Sequence, residues 1–389
     1  MDKTAVALCA VGAEKIVSNE IRKLGLTVSE SGFGRVRFKT DLCGIYRALI
    51  GLRAADRVLL ETACFEARDF DALFEGVREL PWEEYIPPEL GLKVAKVRTN
   101  RSKLGAETSI QAIVHKAAAE RLCKKRGINR LPSALGSSQG DGSGFAGEAE
   151  LRVYIEKDRA SVLLDLSGEP LFRRGYRTQG GPAPLRETTA AAIILLSGWR
   201  RKFPLYDPFC GSGTILIEAA LYAWDIAPGL SRQFFLDKLL LSDKDIESNV
   251  REEFLGKVDF SRLVRIGGSD SEAASVEAAS SNLERAVAMN REIKHHLPLK
   301  VLSMEKAAPA DEAGFIITNP PYGRRLGDAE ASEKTYAEMG KLARNFCGWK
   351  LALITDHPGF ESFFGKKADT CKEITNGAIR SYLYQYEKL

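Results

Sequence analysis

The sequence contains no apolar run that could span a bilayer. Its longest candidate, AAAIILL from Ala190 to Leu196, falls far short of the roughly 20 residues required. The first residues, MDKTAVALCAVGAEK, lack the charged-then-apolar layout of a secretion signal. The 7 cysteines are odd in number, scattered and without a Cys-x-x-Cys. That argues against a disulfide framework and a cysteine zinc site, and for a reducing cytoplasm. There is no internal repeat, and the glycine turn of YDPFCGSGTILIEAA is neither G-x-x-x-x-G-K-[ST] nor G-x-G-x-x-G. Net charge is only +4, so the whole chain is not a polycation. These absences leave a cytoplasmic globular protein, with no membrane segment and no metal site expected.

What is present is a chain of 389 residues, 44% hydrophobic and 28% charged, a length that suggests two or three domains. The charge is unevenly spread. From Arg98 to Arg130, nine Lys or Arg face two Glu, a pattern that suits an anionic polymer or a solvated helix face. Within this stretch, SIQAIVHKAAAERLCKKRG reads as a helix. Ile110, Ile113, Val114, Ala117 and Ala118 form its apolar stripe, and Gly127 ends it. LGSSQGDGSGFAGEAE reads as a flexible loop. ELRVYIEKDRASVLLDLSG reads as a hairpin turning at Lys157-Asp158-Arg159. A Gly/Pro-rich connector from about Gly175 to Pro184 marks the main domain boundary.

Beyond that boundary strands and helices alternate: PLYDPFC, TILIEAALYAW, RLVRIGGSD, SEAASVEAASSNLERAVAMN, FIIT, SEKTYAEMGKLARNFCG, KLALITD. Alternation predicts a mostly parallel sheet with helices on both faces. The end, CKEIT then Asn376-Gly377 then AIRSYLYQYEK, predicts an antiparallel hairpin with a type I′ turn.

Three stretches carry chemistry. In FIITNPPYGRRLG a buried strand runs into Asn319, Pro320, Pro321 and Tyr322. Two prolines end the strand and rigidly present an amide and an aromatic ring at its carboxyl edge, where open α/β sheets bind ligands. In YDPFCGSGTILIEAA, Gly211 and Gly213 allow close backbone approach, and the following helix N-terminus suits a carboxylate or phosphate. In RIGGSD, Asp270 ends the next strand, where a carboxylate can hold both hydroxyls of a ribose. Cys210 reads as a small buried hydrophobe. His295-His296 reads as loop, and Trp199, Trp224 and Trp349 as packing.

DPFCGSG, GSD and NPPY resemble the motifs of class I S-adenosylmethionine-dependent methyltransferases acting on exocyclic amines. LFRRGYR, APLRETTAAAIILLSGW, APGLSR and NPPYGRRLG resemble the THUMP-containing RNA guanine-N2 methyltransferases. The resemblance is to the family of ribosomal RNA large subunit methyltransferase L, in its single-module bacterial form, and it covers nearly the whole chain. It implies an α/β fold in which a Rossmann-like class I methyltransferase sheet follows an α+β ferredoxin-like and THUMP region. The implied divisions are a ferredoxin-like part at 1–60, THUMP at 61–166, a linker at 167–185 and a catalytic domain at 186–389. S-adenosyl-L-methionine would be held by Asp207, Gly211, Gly213, Thr214, Asp270 and Ser303, with Thr188 on the methionine carboxylate. Ser303 stands where relatives usually carry Asp, and Arg324 where they often carry Glu.

Asn319 and Pro320 would accept the protons of guanine N2, and Tyr322 would stack on the extruded base. Structured RNA, of the large ribosomal subunit, would be bound by Lys124, Lys125, Arg126, Arg173, Arg174 and Arg177. Alternatives are a transfer RNA guanosine, an adenine N6, or an RNA-binding protein without catalysis. A uridine C5 reaction needs a cysteine on the Pro-rich loop, which has none.

Overall fold

The computed structural model describes residues 3–132, 147–177, 185–288, 297–321 and 328–389. The N-terminal part runs β1 (Lys3–Cys9), α1 (Glu14–Lys23), β2 (Thr27–Gly32), β3 (Arg35–Thr40), α2 (Leu42–Gly51), β4 (Ala55–Glu66), α3 (Phe70–Arg78), β5 (Gly91–Asn100), α4 (Glu107–Arg126), β6 (Glu148–Glu156) and β7 (Arg159–Asp165). Its strands form one seven-stranded sheet in the order β2-β3-β1-β4-β7-β6-β5. The twelve-residue β4 is what joins them. It pairs with β1 through Ala55 to Leu60, and with β7 from Leu59 to Glu66. The expected division at 60/61 thus falls inside a strand, and the two N-terminal parts share a sheet.

The periodicity of α4 explains how it docks. Ile110, Val114, Ala117, Ala118 and Leu122 are buried, a 3.6-residue stripe lying on α3 and β5. Gly127 follows with φ +66°, the left-handed conformation that glycine adopts at a helix end. The β6–β7 hairpin turns on Lys157 and Asp158 alone, both with positive φ, as a type I′ turn requires.

The C-terminal part runs α5 (Glu187–Leu196), β8 (Leu205–Asp207), α6 (Thr214–Ala223), α7 (Lys244–Leu255), β9 (Ile266–Asp270), α8 (Ala273–Ala288), β10 (Leu299–Val301), β11 (Phe315–Thr318), α9 (Asp328–Asn345), β12 (Lys350–Thr355), α10 (Phe360–Phe364), β13 (Thr370–Asn376) and β14 (Ile379–Tyr386). Its sheet has the order β10-β9-β8-β11-β12-β14-β13. The first five strands are parallel, and β14 and β13 close the edge antiparallel. Asn376 pairs with Ile379, so the turn residues are Gly377 and Ala378, and only Gly377 has positive φ. That is the pattern of a type II′ turn rather than the expected I′.

The two parts are fastened by backbone. Gly229 donates to the Ile50 carbonyl at 2.9 Å. A Cβ there would sit 2.6 Å from Ile50 Cα, so the glycine of APGLSR is fixed by close approach. Val11 and Thr375 bond each other across the junction. The core is continuous from β1 and α2 into α5, α6 and β8, and Trp199, Trp224 and Trp349 are all buried in apolar packing.

Candidate active site

Strand β8 leads to β9 on one side, while β11 returns on the other. This reversal opens a crevice at the carboxyl edge, the topological switch point of open parallel sheets. Because β8 and β11 are parallel neighbours, with Phe315 opposite Leu205 and Ile316 opposite Tyr206, Asp207 and Asn319 emerge on the same rim.

A direct bond ties these two strand ends. Thr318, fully buried at the end of β11, donates its hydroxyl to Asp207 Oδ1 at 2.6 Å, and the Phe209 amide donates to the same oxygen at 3.0 Å. Burial pushes the Asp207 carboxyl up to about 7, and the charge of Asp270 adds to the rise. The glycine turn follows. The Cys210 amide donates to Ser269 O at 3.0 Å and the Gly213 amide to Cys210 O at 2.8 Å. Gly211 and Gly213 both have positive φ, and they differ in surroundings. A Cβ on Gly213 would lie 3.1 Å from Ala279 Cβ of α8, whereas one on Gly211 would meet nothing within 4 Å. Gly213 therefore packs, and Gly211 borders open space.

Asp270 ends β9 half-buried. Its Oδ2 accepts from the Gly211 amide and its Oδ1 from the Glu272 amide, both at 3.0 Å. Each oxygen keeps acceptor capacity for a hydroxyl. Leu302 donates to Asp270 O at 2.9 Å, which brings Ser303, just past β10, to the same rim. Asn319 is half-buried, Pro320 buried and Pro321 exposed. The Pro321 carbonyl accepts from the Tyr336 hydroxyl of α9 at 3.1 Å, and that hydroxyl also lies 2.9 Å from Thr355 Oγ1. Tyr322 and Arg324 lie outside the described residues, as do His295 and His296. A cavity of about 550 Å3 lined by Phe203, Phe315, Lys350 and Gln385 sits at the amino ends of β11 and β12. It is on the opposite rim and is not this crevice.

Residues 174–385 match the RMKL-like methyltransferase domain, residues 4–59 the RlmL ferredoxin-like domain and residues 67–125 the THUMP domain. The chain is 35% identical over 383 residues to YpsC of Bacillus subtilis (strain 168), named as an RNA methyltransferase, across 98% of this chain and 95% of YpsC. This chain belongs to the RMKL-like methyltransferase family. It is also 34% identical to Ribosomal RNA large subunit methyltransferase K/L of Cellvibrio japonicus (strain Ueda107), over 98% of this chain and 50% of that protein. The chain spans about half the length of such K/L relatives. SMU.472, a methyltransferase solved in complex with SAH, superposes with a TM-score of 0.86 at 36% identity, covering 100% of this chain and 98% of that one.

S-adenosyl-L-methionine is accordingly the cofactor of this methyltransferase, and the residues fit it. The open side of Gly211, the amino end of α6 and the spare lone pairs of Asp270 could together hold a zwitterion and a ribose. Burial pushes the Cys210 thiol up, with Asp207 and Asp270 adding to the rise, so its thiolate is disfavoured. Among the described residues no His/Cys/Asp/Glu cluster could hold a metal, and no helix is long and apolar enough to cross a membrane.

Several expected contacts are corrected. Thr188 is buried on α5, and its hydroxyl is taken up by a bond donated to Asp56 of β4. Thr214 keeps its place at the end of the glycine turn, where its buried hydroxyl accepts from Arg177 Nη2 at 2.5 Å. Arg174 is 4% exposed, so it cannot touch RNA; it donates to the carbonyls of Leu171 and Arg53 and lies 3.4 Å from Glu218. The Arg177 side chain is 11% exposed and sits 3.6 Å from Glu187. Arg126 folds back onto the carbonyls of Ile86, Pro87, Pro88 and Leu90. Lys124 and Lys125 are exposed at the end of α4 and Arg173 is exposed, with Lys125 3.7 Å from Glu83 and Arg173 2.6 Å from Glu169. Sequence reasoning missed Thr318 and Tyr336, which hold the Asn-Pro-Pro corner. The hydroxyl of Thr318, one residue before Asn319 on a buried strand, was a readable signal, because a buried hydroxyl needs a partner.

Proposed function

We propose that this methyltransferase acts on RNA and converts a guanosine to N2-methylguanosine in the large ribosomal subunit. The observation that carries the reading is the Thr318–Asp207 bond, which fixes the Asn319 corner beside the glycine turn. S-adenosyl-L-methionine, when bound, supplies an electrophilic sulfonium methyl. Asp270 would accept the ribose hydroxyls, and the Gly211–Thr214 turn would hold the methionine end. Ser303 would accept from the adenine amine with a hydroxyl, a weaker acceptor than a carboxylate. Asn319 Oδ1 and the Pro320 carbonyl would accept the two N2 protons, aiming the nitrogen lone pair outward along one line. The two prolines restrict the loop, so this orientation is set before substrate arrives. Tyr322 would stack on the extruded base. No strong base is needed, since the methylated ammonium sheds its proton readily. We assign residues 1–60, 61–166 and 186–389 to ferredoxin-like, THUMP and catalytic units, with 167–185 as the linker. The RNA reading draws on the THUMP match, the names of the relatives and the exposed Lys124 and Lys125.

Two measurements test this. Mass mapping of nucleosides in large-subunit RNA from cells with and without the gene should show the loss of an N2-methylguanosine. Loss of an N6-methyladenosine, or of a modification in transfer RNA, would replace the target. Asn319→Ala should lower kcat about 100-fold, the scale of a misplaced reacting group, while SAH affinity stays within about twofold. Equal loss of both would remove Asn319 from its role. An unaltered RNA profile together with no SAH binding would leave an RNA-binding protein without catalysis.

A further inference from the structure

The segment between the two halves does not behave as a tether. Arg177 reaches the glycine turn directly, and Tyr176 is linked to it through Arg285 and Asn282. Arg177 Nη2 donates to Thr214 Oγ1 at 2.5 Å and to the Leu185 carbonyl at 2.8 Å. Arg285 of α8 donates to the Tyr176 carbonyl at 2.8 Å and to Asn282 Oδ1 at 2.7 Å; Asn282 in turn donates to the Ser212 carbonyl at 2.9 Å. The turn Ser212-Gly213-Thr214 is therefore gripped twice, once through a side chain and once through a carbonyl.

The grip continues one turn along α6. Thr214 and Glu218 are four residues apart and share a face. Glu218, 1% exposed, accepts from the Tyr176 hydroxyl at 3.0 Å and from Arg174 Nε at 3.4 Å. Arg174 carries the chain back to the N-terminal part by donating to the Arg53 carbonyl at 2.5 Å. The amides of Arg53 and Ala54 are themselves held by the Glu20 carboxylate. Arg232 locks the start of the segment from the other side, donating to the carbonyls of Glu169, Pro170, Leu171 and Arg173. Arginine forks suit this task, because one planar group can satisfy several acceptors at fixed angles.

We propose that Arg177, with Tyr176, is a positioning residue that holds the amino end of α6 in its cofactor-binding geometry. The proposal rests on the reading that Gly211–Thr214 holds the methionine end of the cofactor. Arg177 acts through Thr214, whose hydroxyl accepts its hydrogen bond. Without it, Thr214 has no guanidinium donor and the first turn of α6 is no longer fixed in direction. The cofactor would then bind a turn that must first be ordered, so affinity falls while the reacting groups on β11 are untouched.

The test is SAH titration by calorimetry on the full chain, paired with steady-state kinetics and thermal melting. Arg177→Ala leaves Glu187 buried without its cation and can lower stability on that ground. The double variant R177A/E187Q removes both charges and keeps the comparison clean. We expect its SAH dissociation constant to rise about tenfold, the KM for S-adenosyl-L-methionine to rise in parallel and kcat to change by less than about twofold. Arg177→Lys keeps a cation and a terminal donor and should recover part of the affinity. Melting temperature without SAH should stay close to that of E187Q alone. An SAH affinity in R177A/E187Q equal to that of the unaltered chain overturns the proposal. So does a fall in kcat as large as the rise in KM, because that marks general disorder of the site. If the unaltered chain itself binds no SAH, the failure lies in the cofactor reading beneath the proposal.

Discussion

The end of α4 and the segment Leu171–Arg177 have similar compositions, two or three arginines or lysines in a row beside an aromatic or apolar residue. Their environments are opposite. Lys124 and Lys125 stand in solvent on the last turn of a helix, while Arg174, in an irregular segment, is 4% exposed and serves carbonyls of both halves. The contrast arises from the backbone around them. A regular helix satisfies its own carbonyls and has none to offer a cation except at its end. An irregular segment leaves carbonyls unpaired, and at a domain junction those carbonyls must find donors inside the protein. Arg126 marks the crossover: it belongs to α4 but turns onto the carbonyls of the Ile86–Leu90 loop. A run of positive charge thus reads as a polyanion surface only where neighbouring backbone is already paired.

The largest effect should come from the buried member. Arg174→Ala leaves Glu218 enclosed with Tyr176 as its remaining bonded partner of the two, and Glu218 Oε2 already lacks a hydrogen bond. Breaking a buried pair from one side costs about 3–5 kcal/mol, which a urea unfolding midpoint will report. The double variant R174M/E218Q removes both charges and should recover most of that stability. If Arg174→Ala instead leaves the midpoint unaltered and weakens RNA binding, the comparison is wrong and the segment is an RNA-binding surface.

The local shape of the candidate rim was legible because each of its motifs needs only local chain. Asn319-Pro320-Pro321 announces a rigid strand end, Gly211-Ser212-Gly213 a turn into a helix, and Asp270 an acid after a strand. The alternation of elements around them gave the parallel sheet. What escaped the sequence depends on distant partners. Arg174 meets Glu218 across 44 positions, and Thr188 meets Asp56 across 132. Nothing in the spacing of LFRRGYR distinguishes a guanidinium aimed at phosphate from one aimed at a carbonyl. The single sheet of the N-terminal half escaped for a related reason: β4 pairs with β1 at one end and β7 at the other, and pairing partners are not written in a strand's own residues. The closing hairpin was legible but its turn type was not, because Asn376 is the last paired residue of its strand.

The intermediate case sharpens the boundary. Arg126→Ala should cost about 1–2 kcal/mol, the worth of charge-assisted bonds to carbonyls that water can partly replace. The same unfolding measurement checks it, and the salt dependence of RNA binding should stay as it was. A lowered salt slope with unaltered stability would move Arg126 to the exposed class.

The smallest structural effect belongs to Lys124 and Lys125. Replacing both with Ala removes two exposed side chains whose ordered partners are few, Glu83 at 3.7 Å from Lys125 being one. Surface pairs of this kind are worth about 0–1 kcal/mol, so the unfolding midpoint should hardly move. Binding to large-subunit RNA fragments should respond instead. Every phosphate that is no longer neutralised lowers the slope of log K against log salt by about 0.7–0.9, so the double variant should flatten it by about one to two, less if Glu83 already neutralises Lys125. The contrast with Arg174 is then complete in both directions: one position changes stability and leaves the slope alone, the other changes the slope and leaves stability alone. An unaltered slope in the Lys124/Lys125 variant would make the basic end of α4 a solvated helix face, and RNA recognition would have to be sought elsewhere on the N-terminal sheet.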